Sequence, residues 1–347
     1  MLLDHINPAL NVQLLFGLLL GLIFGVAAQI TRFCLRRAVA GDAGIDRGAL
    51  AVWLFALAVA VTAVQWASAT GLAALDGHRF LARDVPVAGI LLGALMFGAG
   101  MVLTRGCASR LTVLAASGNL RALTVLVVFG LTAHAMMKGA LAPLRTALSE
   151  PSLALPAGTL TALPGAVVII PLILLAAVVW LARKSETGFT HMMLAAVIGL
   201  VVAAGWVGTS TLLMDDFDPT PVQSLAMTQP WGETFFWIVA ATAIPAGFGP
   251  GLVAGILLGA FLSAFARGEL QLASFETPQQ TLRYGAGAVL MGAGGVLAGG
   301  CTLGAGLSGV ATLGIAAILG LAGIVIGAMA TRQMLIGRAG FKTTARA

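Results

Sequence analysis

Three cysteines, each at the end of an apolar segment, are the residues of this sequence with the most distinctive chemistry. Cys34 lies in Thr-Arg-Phe-Cys-Leu-Arg-Arg, Cys107 in Thr-Arg-Gly-Cys-Ala-Ser-Arg, and Cys301 in Gly-Gly-Cys-Thr-Leu-Gly-Ala-Gly. None belongs to a Cys-x-x-Cys pair and none has a histidine at ligand spacing, so no zinc or iron–sulfur site and no cofactor is predicted. A single buried cysteine ordinarily acts as a small hydrophobic residue. Three in glycine- and arginine-bearing surroundings favour a use of the thiols themselves.

Two of these motifs repeat each other. Gly98–Cys107 matches Gly292–Cys301 at seven of ten positions, at an offset of 194 residues. A weaker match pairs the glycines at 17, 21 and 25 with those at 251, 255 and 259. The chain is therefore predicted to be one membrane domain, 1–347, made of two repeats of about 1–150 and about 185–340. The two repeats are expected to be inverted, the plan typical of transporters.

The glycines around Cys301 are too dense for the interior of a helix, where each costs about 1 kcal/mol relative to alanine. They predict a broken helix next to Gly300 and Thr302. Small-residue patterns also serve ordinary helix packing. A break at membrane depth must face protein or a water-filled cavity, and the start of a half-helix there offers N–H donors to an anion.

Most basic residues near the first two cysteines are interpreted as markers of the cytoplasmic side; these are Arg32, Arg36, Arg37, Arg105 and Arg110. Arg105 is a candidate for more than that, because it stands two residues before Cys107 inside the repeat. Lys138 lies four residues after His134 on one face of a predicted helix. Ionisable groups inside membranes are costly and usually functional, although a lysine near a helix end reaches the interface instead.

The elements that must position these residues are apolar helices. Of the 347 residues 59% are hydrophobic and 9% charged, with a mean hydropathy of +1.01, and a helix needs about 20 apolar residues to span a bilayer. The candidate segments are 12–30, 48–71, 85–104, 120–141, 162–182, 190–212, 233–247, 249–266, 284–300 and 307–331. Some are too short or too glycine-rich to span. The predicted fold is an all-α polytopic integral membrane protein with about nine transmembrane helices plus short re-entrant or broken helices.

The charges predict how this bundle is oriented. The net charge of +6 comes from cations in short loops beside apolar runs, a pattern that indicates positive-inside topology rather than nucleic-acid binding. The longest polar stretch, 214–232, carries Asp215, Asp216 and Asp218 and has Glu233 at its end, without lysine or arginine. This stretch is expected outside, and the arginine-bearing C-terminus in the cytoplasm.

On its three cysteine motifs, taken in order, the chain resembles the YeeE/YedE family of sulfur-transport membrane proteins over nearly its whole length. The resemblance implies an inner-membrane transporter of thiosulfate, an hourglass of about nine spans with the cysteines along its central path, and no enzyme activity. It also implies a small cytoplasmic sulfur-carrier protein of the TusA type as a partner. The sequence departs from the pattern in one respect, since its second half has no counterpart of Cys34.

The pathway expected from the motifs and the resemblance consists of Cys34, Cys107, Cys301, Arg105, Gly106, Gly300, Thr302 and Lys138. Neutral thiols, as weak donors, would pass the terminal sulfur of the anion along without holding it too tightly. Sulfite, sulfide or a selenium oxyanion remain alternative substrates. A membrane sulfurtransferase that forms a cysteine persulfide and an accessory subunit with merely structural cysteines are the alternatives from other classes.

Overall fold

The structure, a computed structural model, describes residues 8–75, 77–185, 187–214 and 221–344, and side chains from Val12 to Ile336 within those ranges. Its first seven helices are α1 (Pro8–Thr31), α2 (Leu35–Ala40), α3 (Arg47–Ala69), α4 (Val87–Leu103), α5 (Ala108–Ala116), α6 (Leu120–Lys138) and α7 (Ala142–Ser149). The other six are α8 (Ala166–Ser185), α9 (Phe189–Val207), α10 (Thr228–Ala240), α11 (Phe248–Ala266), α12 (Pro278–Leu297) and α13 (Ile315–Thr344). Strands β1 (Asp84–Val85) and β2 (Leu153–Ala154) pair antiparallel.

Several helices begin where local chemistry favours a start. The side chain of Asp46 accepts a hydrogen bond from the Ala49 amide at the start of α3, and Asn119 does the same for Ala122 at the start of α6. These side chains satisfy backbone donors that the first helical turn leaves without partners. The chain is thus divided into its helices at polar residues that lie between long apolar runs.

Eight of the described helical segments are long and apolar enough to cross a membrane, against the expected nine or so. The 20-residue α12 is not among them, because it begins with the polar run Pro-Gln-Gln-Thr-Leu-Arg. The segment expected at 233–247 is the 13-residue helix α10, which begins at Thr228. Glu233 therefore lies within this short helix rather than at the end of a loop, while Asp215, Asp216 and Asp218 lie outside the described residues.

The repeated glycines bring helices into backbone contact. An ideal Cβ on Gly21 of α1 would lie 2.3 Å from the Leu252 carbonyl oxygen of α11, and one on Gly17 would lie 2.4 Å from that of Phe248. Only residues without a side chain allow helix axes this close. The contacts advance in the same direction along both helices, so α1 and α11 run parallel.

Helices α4 and α12, which precede Cys107 and Cys301, run antiparallel instead. Gly93 faces Gly294, whereas Gly100, further along α4, faces Gly287, which comes earlier in α12. Antiparallel helices are what an inverted repeat requires, but the parallel pair α1 and α11 does not follow the same relation. The division into repeats of about 1–150 and 185–340 stays a prediction.

Candidate functional site

The helices before the three cysteines end in the same way. The residue two positions before each cysteine has a left-handed backbone: φ is +52° at Arg32, +60° at Arg105 and +76° at Gly299. At the first two ends the next amide reaches back to close the turn, with Phe33 donating to the Ala28 carbonyl and Gly106 to that of Met101. This is a common way to stop a helix and satisfy its last carbonyls. The shared geometry includes Cys34, whose motif has no second-half counterpart.

Each cysteine then begins a new, shorter helical segment. Cys34 and Cys107 are the residues immediately before α2 and α5, and neither side chain makes a capping hydrogen bond. Cys301 precedes a π-helical turn, Gly304–Gly309, and its sulfur accepts a hydrogen bond of 3.3 Å from the Gly304 amide. The break predicted from the glycines around Cys301 is therefore present. All three sulfurs lie where a helix has been interrupted inside the bundle.

The thiols lie close together in the interior. The sulfurs of Cys34 and Cys107 are 3.6 Å apart, and the Ser109 hydroxyl is 3.3 Å from the Cys107 sulfur. Thr302 lies beside Cys107, and Cys301, the residue before it, is buried in the same interior region. The three cysteines are exposed by 5%, 1% and 0% in chain order. Cys34 and Cys107 are thus in contact, and all three thiols are buried in the interior.

A cavity of about 570 Å³, called here the first cavity, opens on the Cys301 side. Gly300 and Gly304 contribute to its wall, and a Cβ on Gly304 would lie 3.9 Å from the Cys301 sulfur. Its cationic residues are Arg79, Lys138 and Arg145, and no acidic residue is among the described residues that line it. A cavity lined by positive charge attracts and concentrates anions.

A turn at His78–Leu81 folds back into the first cavity. The Arg79 guanidinium donates a hydrogen bond of 2.8 Å to the Gly299 carbonyl, two residues before Cys301. The His78 ring packs edge-on against Trp206, with 4.9 Å between ring centroids. Burial, together with the neighbouring Arg79 charge, lowers the pKa of His78 from 6.5 to about 4. His78 is therefore neutral at physiological pH, so Arg79, Lys138 and Arg145 supply the charge there.

A second cavity, of about 770 Å³, lies at the opposite end of the bundle, beside the end of α1. The two ends are far apart, since α6 starts near the second and reaches Lys138 at the first after 19 residues, about 28 Å of helix. Basic side chains dominate its lining: Arg32, Arg37, Arg47, His191 and Arg267, with the acidic Asp46 among them.

The loop that follows α2 pairs several arginines of this end. Arg37 donates to Asp46 at 2.8 Å, Arg36 donates to Asp42, and Arg105 lies 3.5 Å from the same carboxylate. The Arg36 hydrogen bond, helped by the charges of Arg105 and Arg332, holds the pKa of the Asp42 carboxyl below its usual value despite partial burial.

The residues expected from the sequence lie at different depths. Thr302 is buried beside the thiols, whereas Arg105 is exposed and faces Asp42. Gly106 packs near Leu111, and a Cβ on Gly300 would lie 2.6 Å from the Ala305 amide nitrogen. Lys138 is the last residue of α6 and lines the first cavity, as a lysine near a helix end does.

Sequence reasoning missed His78, Arg79 and Arg145 in the first cavity. Their loops look like ordinary connections, and nothing local shows that they fold back toward Cys301. It also treated Arg110 only as a topology marker, although its side chain is largely buried near Cys34 and Cys107. The spacing from Cys107 to Arg110, three residues within one helix, was the available signal.

Comparison with known proteins agrees with this picture. The chain is 29% identical to the thiosulfate transporter TsuA of Spirochaeta thermophila over 328 residues, which cover 90% of this chain and 96% of that protein. It is 26% identical to the TsuA of Escherichia coli over 343 residues, covering 91% and 92% respectively. The profile of the sulphur-transport family matches residues 30–330. Because this match spans most of the chain, including all three cysteines, the protein belongs to the sulphur-transport family.

Proposed function

We propose that this protein imports thiosulfate along a pathway formed by Cys301, Cys107 and Cys34. The observation that carries the proposal is a buried group of three cysteines, two of them in contact, between two cationic cavities at opposite ends of the bundle. The two similar proteins named as thiosulfate transporters support the choice of substrate.

Thiosulfate is a dianion with a hard sulfonate end and a soft terminal sulfur, and the site offers partners for both. Arginine and lysine side chains of the cavities complement the sulfonate, while the thiols make weak hydrogen bonds to the sulfur. Weak, serial contacts suit transport, since each must be strong enough to admit the ion and weak enough to release it.

The other pathway residues have separate roles in this proposal. Lys138 attracts the anion in the first cavity, and Gly300 leaves the backbone accessible above Cys301. Thr302 offers a hydroxyl beside Cys107, while Gly106 leaves room for the Leu111 side chain next to that cysteine. Arg105 receives the ion at the far end by exchanging its contact with Asp42. Because the thiols are buried, passage requires small, transient movements of the segments around them.

The charge distribution supports an orientation as well. The end with the second cavity carries more arginines than the end with the first, and positively charged loops of inner-membrane proteins stay in the cytoplasm. The first cavity would then face outside and α13 would end in the cytoplasm of a bacterial cell. A small TusA-like sulfur carrier at the cytoplasmic face would receive the imported sulfur.

Growth on thiosulfate as the sole sulfur source, in a bacterial host that lacks its own sulfur-anion uptake, tests the proposal. The wild-type gene should restore growth, and Cys107→Ala or Cys301→Ala should abolish it at equal membrane abundance. Ser117→Ala is the matched control, because its buried hydroxyl donates to the Val113 carbonyl at the far end of α5, away from the thiols.

Normal growth with the cysteine variants would contradict the thiol pathway. Growth on sulfite but not on thiosulfate would assign sulfite as the substrate instead, and inhibition of growth by a selenium oxyanion only when the gene is expressed would assign that anion.

A further inference from the structure

One buried charged donor near the thiols, on Arg110, has no hydrogen-bond partner among the described residues. The Nη1 nitrogen of Arg110 is completely buried and makes no hydrogen bond, and no ion pair involves this residue among the described side chains. It projects from α5, three residues after Cys107, and its nearest electrostatic neighbours are Cys34, Cys107, Arg32 and Arg37. Two neighbours are thiols and two repel it.

The carboxylates described at this end of the bundle are already engaged. Asp42 contacts Arg36 and Arg105, and Asp46 contacts Arg37. Glu269 accepts hydrogen bonds from Gln29 and Arg267. The buried Nη1 group of Arg110 therefore has no anionic partner among the described residues, and leaving a buried charged donor unpaired is unfavourable. In membrane proteins such a group usually marks an ion pathway.

We propose that Arg110 and the Cys34–Cys107 thiol pair form an inner binding site for a small sulfur oxyanion. The planar guanidinium fits two oxygens of a sulfonate at once, while the two thiols contact the soft sulfur at its other end. The Ser109 hydroxyl, 3.3 Å from the Cys107 sulfur, adds a further donor. This inference rests on the proposed function and assigns the substrate a specific binding site on the pathway before its release.

The site predicts an unusual combination of effects for Arg110→Met. Replacing an unpaired charged group by an apolar side chain of similar length removes the free-energy cost of burying it. The melting temperature of the purified protein should therefore stay the same or rise. Uptake of ³⁵S-thiosulfate by proteoliposomes should fall at least tenfold. The rise in melting temperature that thiosulfate causes in the wild type should also shrink.

Two further variants complete the experiment. Arg110→Lys keeps the charge without the planar donor pair, so its uptake should lie between those of the wild type and Arg110→Met. Arg121→Met is the matched control, since Arg121 lies near the same end of the bundle but is paired with Glu276 at 3.8 Å. Its uptake should stay within twofold of the wild type.

The inference is overturned if Arg110→Met transports thiosulfate at the wild-type rate. It is also overturned if that variant fails to fold or melts several degrees lower, because Arg110 would then have a structural role. A wild-type protein that takes up no thiosulfate is a different result, which contradicts the proposed function itself.

Discussion

At the scale of single residues, the thiols differ from ordinary buried cysteines in their neighbours. Cys107 touches a second thiol and a hydroxyl, and Cys301 accepts an N–H bond at a helix break. The sequence was sufficient to single out all three cysteines, because each ends an apolar segment in glycine- or arginine-bearing sequence and two occupy equivalent positions of a repeat. It could not show that Cys34 meets Cys107, since that contact depends on how the ends of α1 and α4 pack in three dimensions.

His78 gives a prediction for pH. Its pKa of about 4 in the folded protein lies below the ordinary value of 6.5, so the unfolded chain binds the proton more readily between these values. Stability that is present above pH 6.5 is therefore lost as the pH falls toward 4. The melting temperature of the wild type should drop more between pH 7 and pH 5 than that of His78→Gln. Parallel curves for the two proteins would show that His78 is not buried as described.

At the scale of helices, hydropathy predicted most segment boundaries within a few residues, but α10 was placed too late. Its first residues, Thr-Gln-Pro-Trp-Gly, look like a loop because they contain proline and glycine. Contacts that the composition does not show stabilise them as a helix. The buried Trp231 indole donates a hydrogen bond of 2.9 Å to the Thr112 hydroxyl of α5. Within α10, the Gln229 amide donates a hydrogen bond to the Glu233 carboxylate one turn later. Such contacts between distant segments are not visible in local composition.

The close packing of α1 on α11 yields a prediction for Gly21→Ala. The added methyl would lie 2.3 Å from the Leu252 carbonyl oxygen, so the helices must separate, at a cost of about 1–3 kcal/mol. The melting temperature in detergent should fall by several degrees. Gly285→Ala is the control, because a Cβ there has no neighbour within 4 Å and alanine favours the helix. Equal melting temperatures for the two variants would contradict the described contact.

At the scale of the whole molecule, the orientation can be tested with added cysteines. The native thiols are buried and should not react with a membrane-impermeant maleimide. Arg183→Cys, at the end of α8 beside the second cavity, should be labelled only from the cytoplasmic side of sealed vesicles. Glu150→Cys, just after α7 at the opposite end, should be labelled only from outside. The reverse labelling pattern would place the first cavity on the cytoplasmic side and contradict the proposed orientation.

The central claim concerns an intact anion that passes along the thiols between the two cavities. Proteoliposomes supplied with thiosulfate labelled separately at each sulfur atom test it most directly. Both labels should accumulate inside at equal rates with the wild type, and neither should accumulate with Cys301→Ala. Arrival of the terminal sulfur alone would indicate a sulfurtransferase, and undiminished uptake by Cys301→Ala would contradict the pathway.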